Sequence, residues 1–135
     1  MRVFLDANIL FSAADPVSAT RRLLNTLFNH ASVVANRHVW EEAERNIELK
    51  RPALLHELGE LEERLEFVSQ FSKAGPVTIP EKDQPVIRGA VGSKCTHLWT
   101  SDLRHFGNFY GKEVHGTKIV SSIMLADELS DQGWL

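Results

Sequence analysis

The chain begins with Met1-Arg-Val-Phe-Leu-Asp6, a short apolar stretch that ends on an acid. Residues 2–5 do not alternate between polar and apolar side chains along their length, which is typical of a strand buried on both faces of a parallel sheet. The apolar residues on both sides of Asp6 indicate that this acid is buried too, and buried carboxylates are rare without a partner. The stretch therefore predicts a central strand that delivers a carboxylate to one edge of a sheet.

The same pattern recurs near the other end of the chain, at His97-Leu-Trp-Thr100, where Ser101 and Asp102 follow a second predicted strand. Binding sites of open parallel sheets form outside the carboxyl ends of the strands. Asp6 and Asp102 are therefore expected to lie at the same edge of the sheet.

Amphipathic helices alternate with short apolar strands along the rest of the chain. The predicted helices are residues 18–28 with Ser18 as the cap, 37–50, 83–91 and 122–129, and the further predicted strands are residues 31–35, 77–79 and 118–120. Residues 52–71 carry leucines at helical spacing, interrupted by Gly59, and predict a helical hairpin or one long, weakened helix. The alternation predicts an α/β fold, a three-layer α/β/α sandwich around a mostly parallel central sheet.

Composition limits the class of protein. A length of 135 residues with 43% hydrophobic and 24% charged residues predicts one soluble globular domain over residues 1–135. The net charge of -3 argues against a broadly basic nucleic-acid coat, and the single cysteine, Cys95, suits a reducing compartment. No apolar run approaches the roughly 20 residues of a membrane span, and the early acid does not suit a signal peptide. We therefore expect a cytoplasmic protein without membrane contact.

Two further acids could reach the same edge of the sheet from the amino ends of helices. Asp83 stands at the start of one predicted helix, and Glu42 lies early in another. Helical spacing places Glu41 on a solvated face of ion pairs, which favours Glu42 or Glu44 without choosing between them.

A cluster of four such acids has a physical consequence. The carboxylates would raise one another's pKa unless a cation neutralised them, and hard oxygen ligands suit Mg²⁺ or Mn²⁺. Asp83 and Asp102 also have a simpler interpretation, since either could be an ordinary helix cap. Asp6 is the acid that packing explains least.

Four motifs resemble those of the PIN domain and occur in that family's order. They are residues 3–10 (VFLDANIL), 39–46 (VWEEAERN), 82–90 (KDQPVIRGA) and 98–107 (LWTSDLRHFG). More narrowly, the chain resembles PIN proteins that are the toxin components of toxin-antitoxin systems, of which VapC-type toxins are the best known. The resemblance covers residues 1 to about 125 and implies a sandwich around a parallel sheet with a divalent-metal ribonuclease site.

The resemblance also implies particular roles and partners. It assigns catalysis and metal binding to Asp6, Glu42, Asp83 and Asp102, with support from Asn8 and the hydroxyls of Thr100 and Ser101. The implied cofactor is Mg²⁺ or Mn²⁺, and the implied partners are an RNA substrate, a cognate antitoxin protein and a second copy of the chain.

The sequence departs from the family pattern at two positions. Ala7 stands where a threonine is common, and His105 stands where some toxin branches have an acid. His105 could bind a softer metal, contact a phosphate or shape the loop. Arg88, Arg104 and His105 are candidate substrate-binding residues, because they lie close to the predicted acids in sequence.

Other classes of protein also place an aspartate after the first strand. Haloacid dehalogenases need a second acid where this chain has Asn8, and receiver domains need an acidic pair that the sequence does not show. An interaction module that binds RNA or an antitoxin with little turnover remains the main alternative to a ribonuclease.

Overall fold

The computed structural model describes residues 1–73, 75–76 and 78–135, which contain one sheet of six strands. The strands are β1 (Arg2–Leu5), β2 (Ser32–Ala35), β3 (Glu66–Phe67), β4 (His97–Trp99), β5 (Glu113–Val114) and β6 (Thr117–Val120). Their order across the sheet is β3-β2-β1-β4-β6-β5, and only β5 runs antiparallel to its neighbour. The first strand of the chain is therefore central, as its uninterrupted apolar run predicts.

Helices flank the sheet and complete the predicted α/β/α sandwich. They are α1 (Ala7–Ala13), α2 (Ala19–Phe28), α3 (Arg37–Lys50), α4 (Leu55–Glu62), α5 (Gln84–Gly92), α6 (Leu103–Phe106) and α7 (Ser122–Asp131). Ser18 caps α2 as predicted, because its side chain accepts a hydrogen bond from the backbone N–H of Arg21. Within the described residues, no helix is both long enough and apolar enough to cross a membrane.

The core lies on both faces of the central strands. Val3, Phe4 and Leu5 are fully buried, and so are Leu98 and Trp99 of the neighbouring β4. Parallel pairing of β1 with β4 sets Leu5 opposite Trp99, so both strands end at the same level. The residues that follow them are thereby brought together at one edge of the sheet.

The helical prediction for residues 52–71 is wrong beyond residue 62. A 3₁₀ turn at Pro52–Leu54 leads into α4, but Glu66–Phe67 is a strand that pairs with β2. Arg2 holds Glu66 with two hydrogen bonds of 2.8 and 2.6 Å, and the Phe67 ring packs edge-on against Trp40. These contacts with distant parts of the chain override the local helical spacing.

Three other elements differ from the sequence predictions. The sequence does not predict α1 or the edge strand β5. The predicted strand at residues 77–79 includes residue 77, which lies outside the described residues, while Thr78 and Ile79 form a turn and a bend.

Candidate metal centre

Asp6 follows β1 directly, and its side chain is almost fully buried. Its Oδ1 accepts a hydrogen bond of 2.7 Å from the backbone N–H of Ala7, which caps α1. Its Oδ2 accepts hydrogen bonds from the Thr100 hydroxyl at 2.7 Å and from the Asn8 amide at 3.2 Å. The carboxylate is therefore fixed by residues from the ends of both central strands.

Burial raises the pKa of Asp6 from an ordinary value of 3.8 to about 6. The hydrogen bonds from Thr100 and Ala7 lower the pKa, but they offset only part of the cost of removing the charge from water. The nearby carboxylates of Glu42 and Asp83 raise it further. Burial thus outweighs the hydrogen bonds that favour the charged form of this side chain.

The loop after β4 is organised by the predicted supporting residues. The Thr100 hydroxyl accepts a hydrogen bond of 3.1 Å from the backbone N–H of Asp102, and the Thr100 carbonyl accepts one of 2.9 Å from the Tyr110 hydroxyl. Asn8 Oδ1 accepts a hydrogen bond of 3.0 Å from the backbone N–H of Ser101. Ser101 therefore contacts the centre through its backbone, whereas the resemblance implied its hydroxyl.

All the predicted acids line one cavity of about 190 Å³ at this edge of the sheet. Asp6 is the most buried of these acids, and the helices bring the others to the same space. Glu42 of α3 faces the cavity, while Glu44 is exposed elsewhere on that helix, so the structure separates two positions that helical spacing left open. The complete lining is Asp6, Ala7, Asn8, Phe11, Glu42, Asn46, Lys50, Asp83 and Asp102.

The two acids with a possible capping role behave differently. Asp83 makes no side-chain cap hydrogen bond to α5, so capping does not explain its position. Asp102 does cap α6, because its Oδ1 accepts a hydrogen bond of 3.1 Å from the backbone N–H of His105. The second oxygen of Asp102 remains directed at the imidazole of the same histidine, 2.9 Å from Nδ1.

His105 lies between Asp83 and Asp102. Its Nδ1 atom is 2.8 Å from Asp83 Oδ2 and 2.9 Å from Asp102 Oδ2. One N–H cannot donate well to both oxygens, and the contact with Asp102 has hydrogen-bond geometry whereas that with Asp83 does not. Among the described residues, Asp83 Oδ2 is therefore buried in close contact with His105 but without a hydrogen-bond partner.

This oxygen tests whether the residues suit a divalent cation. Its close contact with His105 Nδ1 lacks hydrogen-bond geometry, so the buried oxygen is incompletely satisfied, and a cation would supply a better interaction. Several carboxylates around one small cavity are also the ligands that Mg²⁺ and Mn²⁺ prefer. The lining therefore suits a divalent cation, and ligand atoms of Asp83, Asp102 and His105 lie within 4.8 Å of one another. The assignment of Asp6, Glu42, Asp83 and Asp102 as the residues that would hold the cation stays a prediction.

The candidate substrate-binding residues are placed differently from one another. Arg88 Nε donates a hydrogen bond of 2.7 Å to the carbonyl of Ser72, and Arg88 does not line the cavity. Arg104 is exposed on α6, and His105 turns inward to the acids. The roles of these residues in RNA binding stay predictions.

The sequence analysis did not identify Lys50, whose positively charged side chain also lines the cavity. Glu42, Asn46 and Lys50 follow one another at intervals of four residues, so α3 presents them along one row. That row is the signal that would have found Lys50. Its ammonium also lies 5.9 Å from the centre of the Phe11 ring, which gives the cavity a positive and aromatic side.

Comparison with known proteins supports the fold. No protein-family model matches this chain, and no curated protein sequence matches it. Among solved structures, the chain is similar to a chain in the crystal structure of VapBC2 from Rickettsia felis bound to a DNA fragment from their promoter. The TM-score is 0.65 and the identity 15%, over 90% of this chain and 98% of that chain. The fold predicted from the resemblance to VapC-type PIN proteins is thereby confirmed.

Proposed function

We propose that this protein is a divalent-metal-dependent endoribonuclease of the PIN type that hydrolyses RNA phosphodiester bonds, and that it is the toxin component of a cytoplasmic toxin-antitoxin system. One observation carries the proposal. Asp6, Glu42, Asp83 and Asp102 line a single cavity, where the buried Asp83 Oδ2 contacts His105 but has no partner with hydrogen-bond geometry in the part of the chain that the structure describes. Asp6 and Asp102 also cap short helices, but helix capping explains neither Glu42 nor Asp83 at the same cavity.

The side chains of the cavity have different roles in the proposed hydrolysis. When bound, a divalent cation would supply positive charge for the scissile phosphate and would acidify an attacking water. Asp6 and Asp102 both present a carboxylate oxygen at the ends of the central strands, where one of them could orient that water and accept its proton. Thr100 and Asn8 fix the Asp6 carboxylate and the loop that carries Asp102, so the acids need little rearrangement during the reaction.

Two contacts with other proteins are part of the proposal, a cognate antitoxin and a second copy of the chain. The similar VapBC2 structure is named as a complex bound to promoter DNA, which supports the antitoxin. An apolar groove of about 490 Å³ between α2 and α7 supports a protein partner in general. Ile123 and Leu135 on this groove are 76% and 60% exposed, and apolar surface of this kind often marks an interface.

Removal of the cation tests the proposed activity directly. Purified protein is incubated with a panel of single-stranded and structured RNAs in Mg²⁺, Mn²⁺ or EDTA. We expect cleavage only with a divalent cation, because the acid cluster cannot hold a phosphate without one. Cleavage that persists in EDTA would contradict the proposal. If no RNA is cleaved in any buffer while RNA or an antitoxin still binds, the interaction module becomes the better description.

Lys50→Gln is expected to weaken RNA binding about three- to tenfold. A single phosphate contact also contributes about 0.7 to the slope of log affinity against log salt for single strands, and the variant should lose that amount. Filter binding in Ca²⁺ under conditions where the RNA stays intact, at several salt concentrations, measures both quantities. The matched control is Lys94→Gln, because Lys94 is exposed before the amino end of β4 and does not line the cavity. Equal losses in the two variants would show that Lys50 has no particular contact with RNA.

A further inference from the structure

We propose that His105 is itself a ligand of the cation, through Nδ1, and that this nitrogen makes the centre prefer Mn²⁺ to Mg²⁺. The inference deepens the proposed function and rests on it in one respect, that the cavity holds a divalent cation. It assigns to His105 a role different from contact with RNA.

The distances match those of a coordination shell. Nδ1 of His105 and one oxygen from each of Asp83 and Asp102 lie within 4.8 Å of one another, and the two distances from Nδ1 are 2.8 and 2.9 Å. Neighbouring ligands of an octahedral ion with bonds of about 2.1 Å are separated by about 3 Å. Nδ1 therefore lies at the spacing of a neighbouring ligand from each of the two carboxylate oxygens.

Hydrogen bonding leaves this group incomplete in a way that a cation would correct. If His105 carries a proton on Nδ1, that proton satisfies Asp102 and leaves the buried Asp83 Oδ2 without a hydrogen bond. A cation in place of the proton would contact the nitrogen and both carboxylates together. The backbone that carries the imidazole is held in place, because the His105 N–H donates to Asp102 Oδ1 and the next residue, Phe106, is fully buried.

The nitrogen ligand predicts which cation is favoured. Mg²⁺ prefers oxygen ligands throughout, whereas Mn²⁺ accepts carboxylates and, as a transition metal, also binds imidazole. Loss of an outer-shell partner of a metal ligand typically reduces affinity about 10- to 100-fold, and loss of a direct ligand should cost at least as much. The preference for Mn²⁺ should therefore depend on His105 and on no other histidine.

The test uses Mn²⁺ itself as the probe, on the full chain without RNA. Electron spin-echo spectroscopy of the Mn²⁺-loaded wild type should show coupling to an imidazole nitrogen, and calorimetry should show tighter binding of Mn²⁺ than of Mg²⁺. His105→Asn places an amide near the position of Nδ1, so we expect loss of the nitrogen coupling and a fall in Mn²⁺ affinity of about tenfold or more. Mg²⁺ affinity should change much less. His56→Asn is the matched control, since the His56 side chain is 82% exposed on α4, outside the cavity.

Each result has a distinct meaning. Nitrogen coupling that is absent from the wild type, or that survives in His105→Asn, overturns the inference, as does an equal loss of affinity for both cations. Folding of His105→Asn is checked by thermal unfolding, so that loss of binding is not confused with loss of structure. RNA cleavage with an oxygen-only centre would contradict this inference and leave the ribonuclease standing. Coupling to His105 without any RNA cleavage would support this inference and contradict the proposed ribonuclease activity.

Discussion

Asp6→Asn is expected to lower the rate of RNA cleavage on the order of a thousandfold. Asp6 is the most buried acid of the cavity, and its carboxylate is fixed by Thr100, Asn8 and the first N–H of α1. The substitution keeps the shape of the side chain but removes its charge, and with it several kcal/mol of interaction with the cation. Each loss of about 1.4 kcal/mol in the transition state slows a reaction tenfold. Single-turnover cleavage in Mg²⁺ and in Mn²⁺ measures the effect.

The control for this loss is the same substitution at Asp127, an exposed residue of α7 that does not line the cavity. Asp127→Asn should cleave RNA at the rate of the wild type. If Asp6→Asn retained most of the activity, either the observed cleavage would come from a contaminating nuclease or the acid cluster would not be the active site. Parallel measurement of Mn²⁺ affinity for Asp6→Asn separates loss of the cation from loss of a proton acceptor.

Although Asp6→Asn should reduce RNA cleavage, it should increase the stability of the cation-free protein near neutral pH. The pKa of Asp6 is raised from 3.8 to about 6 in the folded state, so the folded chain binds this proton more tightly than the unfolded chain does. The contribution of Asp6 to stability is therefore fully present below about pH 4 and is lost as the pH rises through 6. A displacement of this size corresponds to roughly 3 kcal/mol. Relative to the wild type, Asp6→Asn should gain up to that amount between pH 4 and pH 7.

Urea unfolding in EDTA across this pH range measures the difference between the two proteins. Any fixed cost of placing an amide beside Thr100 and Asn8 is independent of pH and cancels in the comparison. A difference in stability that stays constant from pH 4 to pH 7 would show that Asp6 is not held at a raised pKa. Added Mg²⁺ at pH 7 should stabilise the wild type more than Asp6→Asn, since a ligand stabilises the state that binds it.

The local pattern of apolar residues was enough to predict the two central strands and the sheet edge at which they end. The apolar runs of β1 and β4 are buried on both faces, so burial and sequence agree without information from the rest of the chain. The strand β3 could not be found in this way, because its two residues depend on Arg2 and Trp40 from distant segments. The short helix α1 was missed for another reason. Asp6 caps this helix, whereas the sequence suggested for Asp6 only a role in the candidate site.

The candidate site could also be predicted only in part. Asp6 and Asp102 follow from strand ends alone, because parallel strands bring their carboxyl ends to one edge. Glu42 required the resemblance to a family, since spacing on α3 did not separate it from Glu44. The position of His105 between two carboxylates depends on how α5 and α6 meet in space, and no pattern within either segment indicates it.

The outermost strands of the sheet have a consequence for self-association. Glu66–Phe67 and Glu113–Val114 are only two residues long, and each begins with an exposed glutamate. A long, apolar edge would offer a row of free N–H and C=O groups to another chain, which is the usual first step of amyloid-like growth. Short edges that carry charge deny a second molecule that template. The short, charged edge strands therefore protect a sheet with strongly apolar central strands from aggregation.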